Sequence, residues 1–138
     1  MSNGSMVKNW VHDGTNWQKL GLLFGYNDTY QERVAQTGAA GSHYLSSTAV
    51  PSGYIYVITN IWCRNINTNV NISIFKDIND TRYEIDVITQ IAISDGVKAR
   101  MYQPIYLKED DKITVYFFDC VANDPLRLCV QGYKMKIS

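Results

Sequence analysis

The chain holds two histidines, His12 and His43, and neither stands in an HxH, HExxH or HxxxH spacing. The residues best suited to binding zinc or shuttling a proton are therefore not grouped along the sequence. Acidic residues are grouped, in Glu109, Asp110 and Asp111 and again in Asp77 and Asp80 around Asn79. Such clusters can hold calcium or work as an acid and base pair. Both, however, fall between runs of β-type residues, where short Asp and Asn side chains serve turns, and they are read as turns. The sequence contains no GxxxxGK[ST] or GxGxxG phosphate loop and no GxSxG nucleophile elbow. The expectation is a non-enzymatic protein, with no catalytic residue, cofactor or metal site assigned.

Cys63, Cys120 and Cys129 are odd in number and lack the short paired spacings of a zinc site or a disulfide framework. Buried reduced thiols are the simplest reading. A Cys120–Cys129 bridge across a hairpin stays open, and it would leave Cys63 alone. Within 138 residues, 46% are hydrophobic and 19% charged, which suits one folded domain with a sizeable core. Thirteen basic residues balance thirteen acidic ones, so no net field draws in nucleic acid or an anionic membrane. No apolar run approaches the roughly 20 residues that span a bilayer, and the start lacks the pattern of a secretory signal. Residues 1–8 are expected to form a flexible tail on a single domain, 9–138, that neither inserts in membranes nor follows the general export route.

The elements that would position any site read as strands. Residues 9–20 form an expected hairpin around a two-residue Asp13-Gly14 turn, which brings Trp10 and Trp17 near one another. Residues 30–37 suit a strand or a short helix, and 42–50 a strand. Tyr54–Asn65 is rich in β-branched and aromatic residues. Residues 70–76 and 112–120 alternate with period two, placing Val70, Ile72 and Ile74, and Ile113, Val115 and Phe117, on core faces. On 82–91 the alternation puts Tyr83, Ile85, Val87 and Ile91 on a face opposite Arg82, Glu84, Asp86 and Gln90. Residues 97–107 are extended, with Pro104 marking an edge or a bend. In the last strand, Leu128 and Val130 share one parity and Tyr133, Met135 and Ile137 the other, which predicts a bulge or bend at Gly132. From Tyr30 onward there are about eight strands and no long amphipathic helix. The expected fold is all-β, a jelly-roll-like antiparallel sandwich over 30–138 carrying an amino-terminal hairpin.

The aromatic residues exceed what a small core needs: ten tyrosines, four phenylalanines and three tryptophans. Uninterrupted alternation along Tyr54–Asn65 sets Ile55, Val57, Ile61 and Cys63 against Tyr54, Tyr56, Ile58 and Trp62. Phe75, Tyr116 and Phe118 likewise fall opposite the core positions of their strands. Exposed aromatic surface of this kind suits an interface. Tyr54, Tyr56, Trp62, Phe75, Tyr116 and Phe118, with Trp10 and Trp17, are accordingly the candidate self-interface. Two other coverings stay open. The amino-terminal hairpin and the 21–37 segment can pack over these rings, or loop aromatics such as Tyr44 and Tyr102 can stack on sugars.

Two stretches carry a resemblance. WVHDGTNWQKL resembles the D-G-T-x-W-x-K-L module found near the start of many phage and prophage virion proteins. VPSGYIYVITNIWCRN, NISIF, PIYLKEDDKITVYF and VQGYKMKI resemble a β-sandwich common among phage tail, head-fibre and decoration proteins. Its outline is V-P-x-G, a strand, R-N, an alternating strand, L-x-x-G-D-x-I and a final G-Y strand. The L-x-x-G-D-x-I turn recurs in trimeric jelly rolls of the tumour-necrosis-factor and complement type, and here Asp110 stands where glycine is usual. The resemblance implies a virion component made in the host cytoplasm without a signal peptide. It further implies a homo-oligomer, with a trimer favoured, and other virion proteins and host glycans as further partners.

Overall fold

Alternating apolar residues become core residues wherever one face of a strand meets a second sheet, and the expected sets on residues 70–76 and 112–120 do so: Val70, Ile72, Ile74, Ile113, Val115 and Phe117 are all buried. The computed structural model of the protein describes residues 10–12, 17–19, 26–90 and 96–137. Its strands are β1 (Trp10–His12), β2 (Trp17–Lys19), β3 (Tyr26–Gly38), β4 (Gly41–Ser46), β5 (Tyr54–Asn65), β6 (Val70–Ile78), β7 (Thr81–Gln90), β8 (Val97–Lys98), β9 (Ile105–Leu107), β10 (Lys112–Cys120) and β11 (Asp124–Lys136). One sheet has the order β4-β10-β6-β7, the other β3-β11-β5-β8, with β9 also paired to β5. All pairings are antiparallel. The chain changes sheet at most connections, which is the jelly-roll arrangement. Residues 30–37, open between strand and helix in the sequence, extend the ladder of β11 as part of β3.

Between the sheets lies one cluster that includes Ile58, Ile61, Cys63, Leu107, Phe117, Leu126, Leu128 and Val130. Each fully buried large aliphatic or aromatic side chain there contributes about 1.5–3 kcal/mol relative to exposure. The open side between β3 and β4 is closed by Glu32. Its carboxylate accepts from the Tyr30 hydroxyl at 2.6 Å, from the Thr48 backbone N–H at 3.0 Å and from the Thr48 hydroxyl at 2.8 Å. Burial, then the hydrogen bond and charge of Glu32, push the Tyr30 hydroxyl well above the usual tyrosine range, so it remains a donor.

The bulge expected at Gly132 is present, and it changes the parity of β5. Gln131 pairs with Asn60 and Gly132 with Ile58, leaving Thr59 as the extra residue. A Cβ at Gly132 would fall on the Val57 carbonyl oxygen, so only glycine permits this approach. Beyond the bulge, Ile58, Tyr56 and Tyr54 join Ile61 and Cys63 on the core side. The uninterrupted alternation expected for β5 is thereby corrected. A second bulge corrects β7: Ile74 pairs with Asp86 and Phe75 with Glu84, leaving Ile85 as the extra residue. Ile85 and Ile88 pack against the core, whereas Val87 and Tyr83 are 46% and 54% exposed. Asp86 turns inward, where Arg100 donates from its backbone N–H at 2.8 Å and from Nη2 at 2.7 Å. Ile91 lies outside the described residues.

Pro104 falls where the expected strand 97–107 divides into β8 and β9. Both short pieces pair with β5, so this edge of the sheet presents no long unpaired ladder. In the amino-terminal hairpin, His12 pairs with Trp17. Four residues, 13–16, thus separate the paired positions, where a two-residue Asp13-Gly14 loop would have paired His12 with Thr15. Residues 13–16 and the expected tail 1–8 lie outside the described residues.

Both acidic clusters are turns. Asn79 and Asp80 have φ of 49° and 65° between the paired Ile78 and Thr81, the sign required at both central positions of a type I′ hairpin. The Asp77 carboxylate caps this turn by accepting from the Asp80 N–H at 2.9 Å. Asp110 has φ of 71° and so adopts the left-handed conformation for which glycine is usual at this place. Asp111 is buried and accepts from the Lys108 N–H at 3.1 Å. Asn65, also buried, donates to the Asp124 carboxylate at 2.9 Å, and its own side-chain oxygen accepts from the Asn67 and Thr68 N–H groups. Asp124 further accepts from the Thr68 hydroxyl at 2.9 Å and the Val121 N–H at 2.8 Å. Burial raises the Asp124 carboxyl, but the Asn65, Thr68 and Val121 donors outweigh it and hold the group below the usual carboxylate range. The Arg100 hydrogen bonds do the same for Asp86 against the opposing effect of burial.

Two outcomes follow for stability. Gly132→Ala should destabilise the fold by about 3 kcal/mol in chemical denaturation, because backbone rather than a yielding side chain occupies the Cβ position. Asp124→Asn should cost about 2 kcal/mol at neutral pH by leaving buried donors unmatched. Because the folded carboxyl is depressed, its contribution is complete above the unfolded value, near pH 4, and is lost as pH falls through the folded value. Denaturant titrations between pH 7 and 2 should therefore show a shallower acid decline in Asp124→Asn than in the parent.

Candidate functional site

The bulge in β5 divides the expected aromatic self-interface between the two sides of a sheet. Tyr54 and Tyr56 pack against the core, and Tyr56 lies 4.6 Å from the Tyr30 ring, centroid to centroid. They are corrected from interface to core. Trp62 does point outward, but its indole packs closely against Gly96, whose φ of 109° and missing Cβ make room for it. Trp10 pairs with Lys19 and Trp17 with His12 in the hairpin register; the side chains of both tryptophans lie outside the described residues.

Tyr116, Phe118 and Phe75 sit together on the outer face of the four-stranded sheet, as expected. Register carries a row across all four strands, Tyr44–Tyr116–Ser73–Val87, with a neighbouring row of Ser46–Thr114–Phe75–Glu84. The rings form a continuous ladder: Tyr44 and Tyr116 are 4.3 Å apart, and Tyr116 and Phe118 meet edge-on at 4.5 Å. Such pairs add about 0.5–1.5 kcal/mol beyond area burial. Arg82 stands 4.2 Å over the Tyr44 ring while its Nε lies 3.4 Å from Asp77. Asp77 is buried beneath, accepting from the Thr114 hydroxyl at 3.0 Å, and Thr114 is linked to Ser46 at 2.8 Å. The polar groups on this face are thus used in holding the rings in position. Tyr44 remains 47% exposed. It belongs to β4 rather than to a loop, whereas Tyr102, fully exposed, is a loop residue.

The outer face of the other sheet carries a feature that the sequence reading missed. A groove of about 720 Å³ is lined by Arg33, Arg64, Lys98 and Arg127, with Trp62, Asn60 and Gln131 among its walls. These residues come from β3, β5, β8 and β11, and the ladder aligns Arg127 with Arg64 and Trp62 with Lys98. Among the described residues none of the four cations is ion-paired and no carboxylate lines the groove. Arg33 donates to the Gln31 side-chain oxygen at 3.0 Å and Arg127 to the Leu126 carbonyl at 3.0 Å, both neutral acceptors. The Nε of Arg64 is buried without a partner. A usable signal existed: Arg64 and Arg127 share the parity opposite to Cys63 and Leu128. Only the strand order, however, brings β3 and β8 alongside them.

The chemistry on offer is weak nucleophilically. All three cysteines are free. Cys120 lies in one sheet and Cys129 in the other, so the hairpin geometry needed for bridging them does not arise. Burial, with the Asp86 charge, pushes the Cys63 thiol up to about 12, and burial with the Asp124 and Asp119 charges raises Cys120. His43 donates from Nε2 to the Ala39 carbonyl at 2.7 Å. Among the described residues no group of three or more His, Cys, Asp or Glu side chains is placed to hold a metal ion.

No family model matches the chain, and no curated protein matches it. Among solved structures, it is similar to a chain reported under the words "Bacillus endospore appendages form a novel family of disulfide-linked pili", at 18% identity and a TM-score of 0.42, covering 83% of this chain and 94% of that one.

Thiol labelling offers a check on this geometry. Iodoacetamide at neutral pH should leave Cys63 and Cys120 unmodified in the native protein and modify both in denaturant, with mass spectrometry locating the adducts.

Proposed function

We propose that this chain is a non-enzymatic structural protein that assembles with copies of itself through the outer face of its four-stranded sheet. The observation that carries the reading is the Tyr44–Tyr116–Phe118 ladder. The solvent side of an antiparallel sheet ordinarily alternates to polar residues, yet here rings cross from β4 to β10, and Val87 on β7 lies in the same row beyond Ser73. Aromatic side chains pinned by a buried Asp77–Thr114–Ser46 network lose little further freedom on association, and removing them from water supplies the driving force.

A finer reading makes the protein a phage or prophage virion component of the tail, head-fibre or decoration kind, with a trimer as its favoured oligomer. The W-V-H-D-G-T-N-W-Q-K-L stretch and the V-P-S-G to G-Y outline support it. The positions of that outline also have physical work here: Asn65 of R-N ties two loops together, Asp111 holds its turn, and Gly132 of G-Y makes the bulge.

Light scattering after size exclusion tests the assembly reading. The parent should form a defined oligomer whose contact buries more than about 1,000 Å². Tyr44→Ser and Tyr116→Ser should shift it toward the monomer while moving the melting temperature little. A parent that stays monomeric at millimolar concentration, or variants that assemble unchanged, would overturn the reading.

A further inference from the structure

The groove on the five-stranded sheet has three properties that together specify a ligand. First, it gathers positive charge without, among the described residues, the compensation found elsewhere. Lys76, Arg82 and Arg100 each meet a carboxylate, whereas among the described residues Arg33, Arg64, Lys98 and Arg127 meet none. Four uncompensated cations on one sheet face repel each other and favour an anion between them. Secondly, the Arg64 Nε is buried and unpartnered. A buried donor without an acceptor is costly, and a guanidinium presents its donors as a fork matched to a planar carboxylate. Thirdly, the remaining walls are those of a sugar site. Trp62 offers an indole held in place by Gly96, suited to the apolar face of a pyranose. Asn60 donates to the Gln131 side-chain oxygen at 2.8 Å, which leaves the Asn60 oxygen and the Gln131 amide N–H groups to meet hydroxyls.

We propose that this groove binds an acidic saccharide, with the carboxylate of a uronic- or sialic-acid-type sugar between Arg64 and Arg127 and its ring against Trp62. The volume of about 720 Å³ falls in the range of small-molecule sites, about 300–1,000 Å³, and suits one to three sugar units. A nucleic acid backbone would call for a basic stripe extending along the molecule, and the charge here is confined to one groove on a chain with no net charge. The site does not rest on the assembly reading, because it lies on the opposite sheet from the aromatic ladder.

Titration calorimetry on the full chain tests it. The probes are trigalacturonic acid and sialyllactose, with galactotriose and lactose as their neutral counterparts. The acidic sugars should bind, weaken as salt is raised, and quench tryptophan fluorescence in the parent but not in Trp62→Phe. Arg64→Gln and Arg127→Gln should each weaken binding about tenfold or more, the loss of one charged contact. Exposed Lys98→Gln should weaken it less, and it serves where an arginine variant fails to fold. Arg82→Gln, on the other sheet, should leave binding unchanged. Light scattering of the Arg64 and Arg127 variants should match the parent, which separates this site from assembly. Absence of acidic-sugar binding would overturn the proposal. So would equal binding of the neutral sugars, or equal or tighter binding of inorganic phosphate, a single-stranded oligonucleotide or a hexaglutamate peptide.

Discussion

The pairing of β5 with β11 governs what each side of the molecule displays. These two long strands lie at the centre of the larger sheet, and they are joined on both sides of a bulge that exists because Gly132 has no Cβ to meet the Val57 carbonyl. Side chains on a strand alternate faces with period two, so one extra residue, Thr59, exchanges the inner and outer sets for the rest of β5. Tyr54 and Tyr56 pack against the core by that exchange, while Val57 stays fully buried. On the near side of the bulge, Trp62, Arg64 and Asn60 face outward with Arg127 and Gln131. The groove is made of these residues, so its composition follows from the same backbone constraint that fills the core.

The second constraint is the satisfaction of buried polar groups at turns. Asp77, Asp111 and Asp124 are all nearly inaccessible, and each accepts backbone or hydroxyl donors from the turn it closes. These groups fix the connections between the sheets, since Asn65 and Thr68, where the chain leaves β5 for β6, reach Asp124, where it enters β11 from β10. These connections matter to both surfaces. Asp77 also anchors Arg82 and Thr114 under the aromatic ladder, and the Asn65 turn follows directly on Arg64 of the groove. Carboxylates that look like catalytic or calcium ligands in sequence are thus consumed by structure.

Two surfaces of different chemistry consequently sit back to back. One is aromatic and has its polar residues employed in supporting rings; the other is cationic, and among the described residues its cations meet only neutral acceptors. A protein that assembles through the first and recognises acidic sugars through the second would present the second outward from the assembly, because the sheets face in opposite directions.

The sequence by itself determined the long strands from Tyr54 onward and their approximate limits, the core faces of β6 and β10 and the outward set of Tyr116, Phe118 and Phe75, because all of these depend on local alternation and turn chemistry. Tyr54–Asn65 was legible to the residue, and the bulge at Gly132 could be read from the change of parity in β11 alone. What the tertiary structure decided was everything that needs a partner strand. The change of parity in β11 does not reveal that the extra residue lies in β5, so Tyr54 and Tyr56 read as surface. Likewise, the bulge at Ile85 depends on pairing with Ile74 and Phe75, so Asp86 read as exposed when it turns inward to Arg100. The groove was the least legible feature. Its four cations are contributed by four strands that are distant in the chain, and only lateral strand order makes them neighbours.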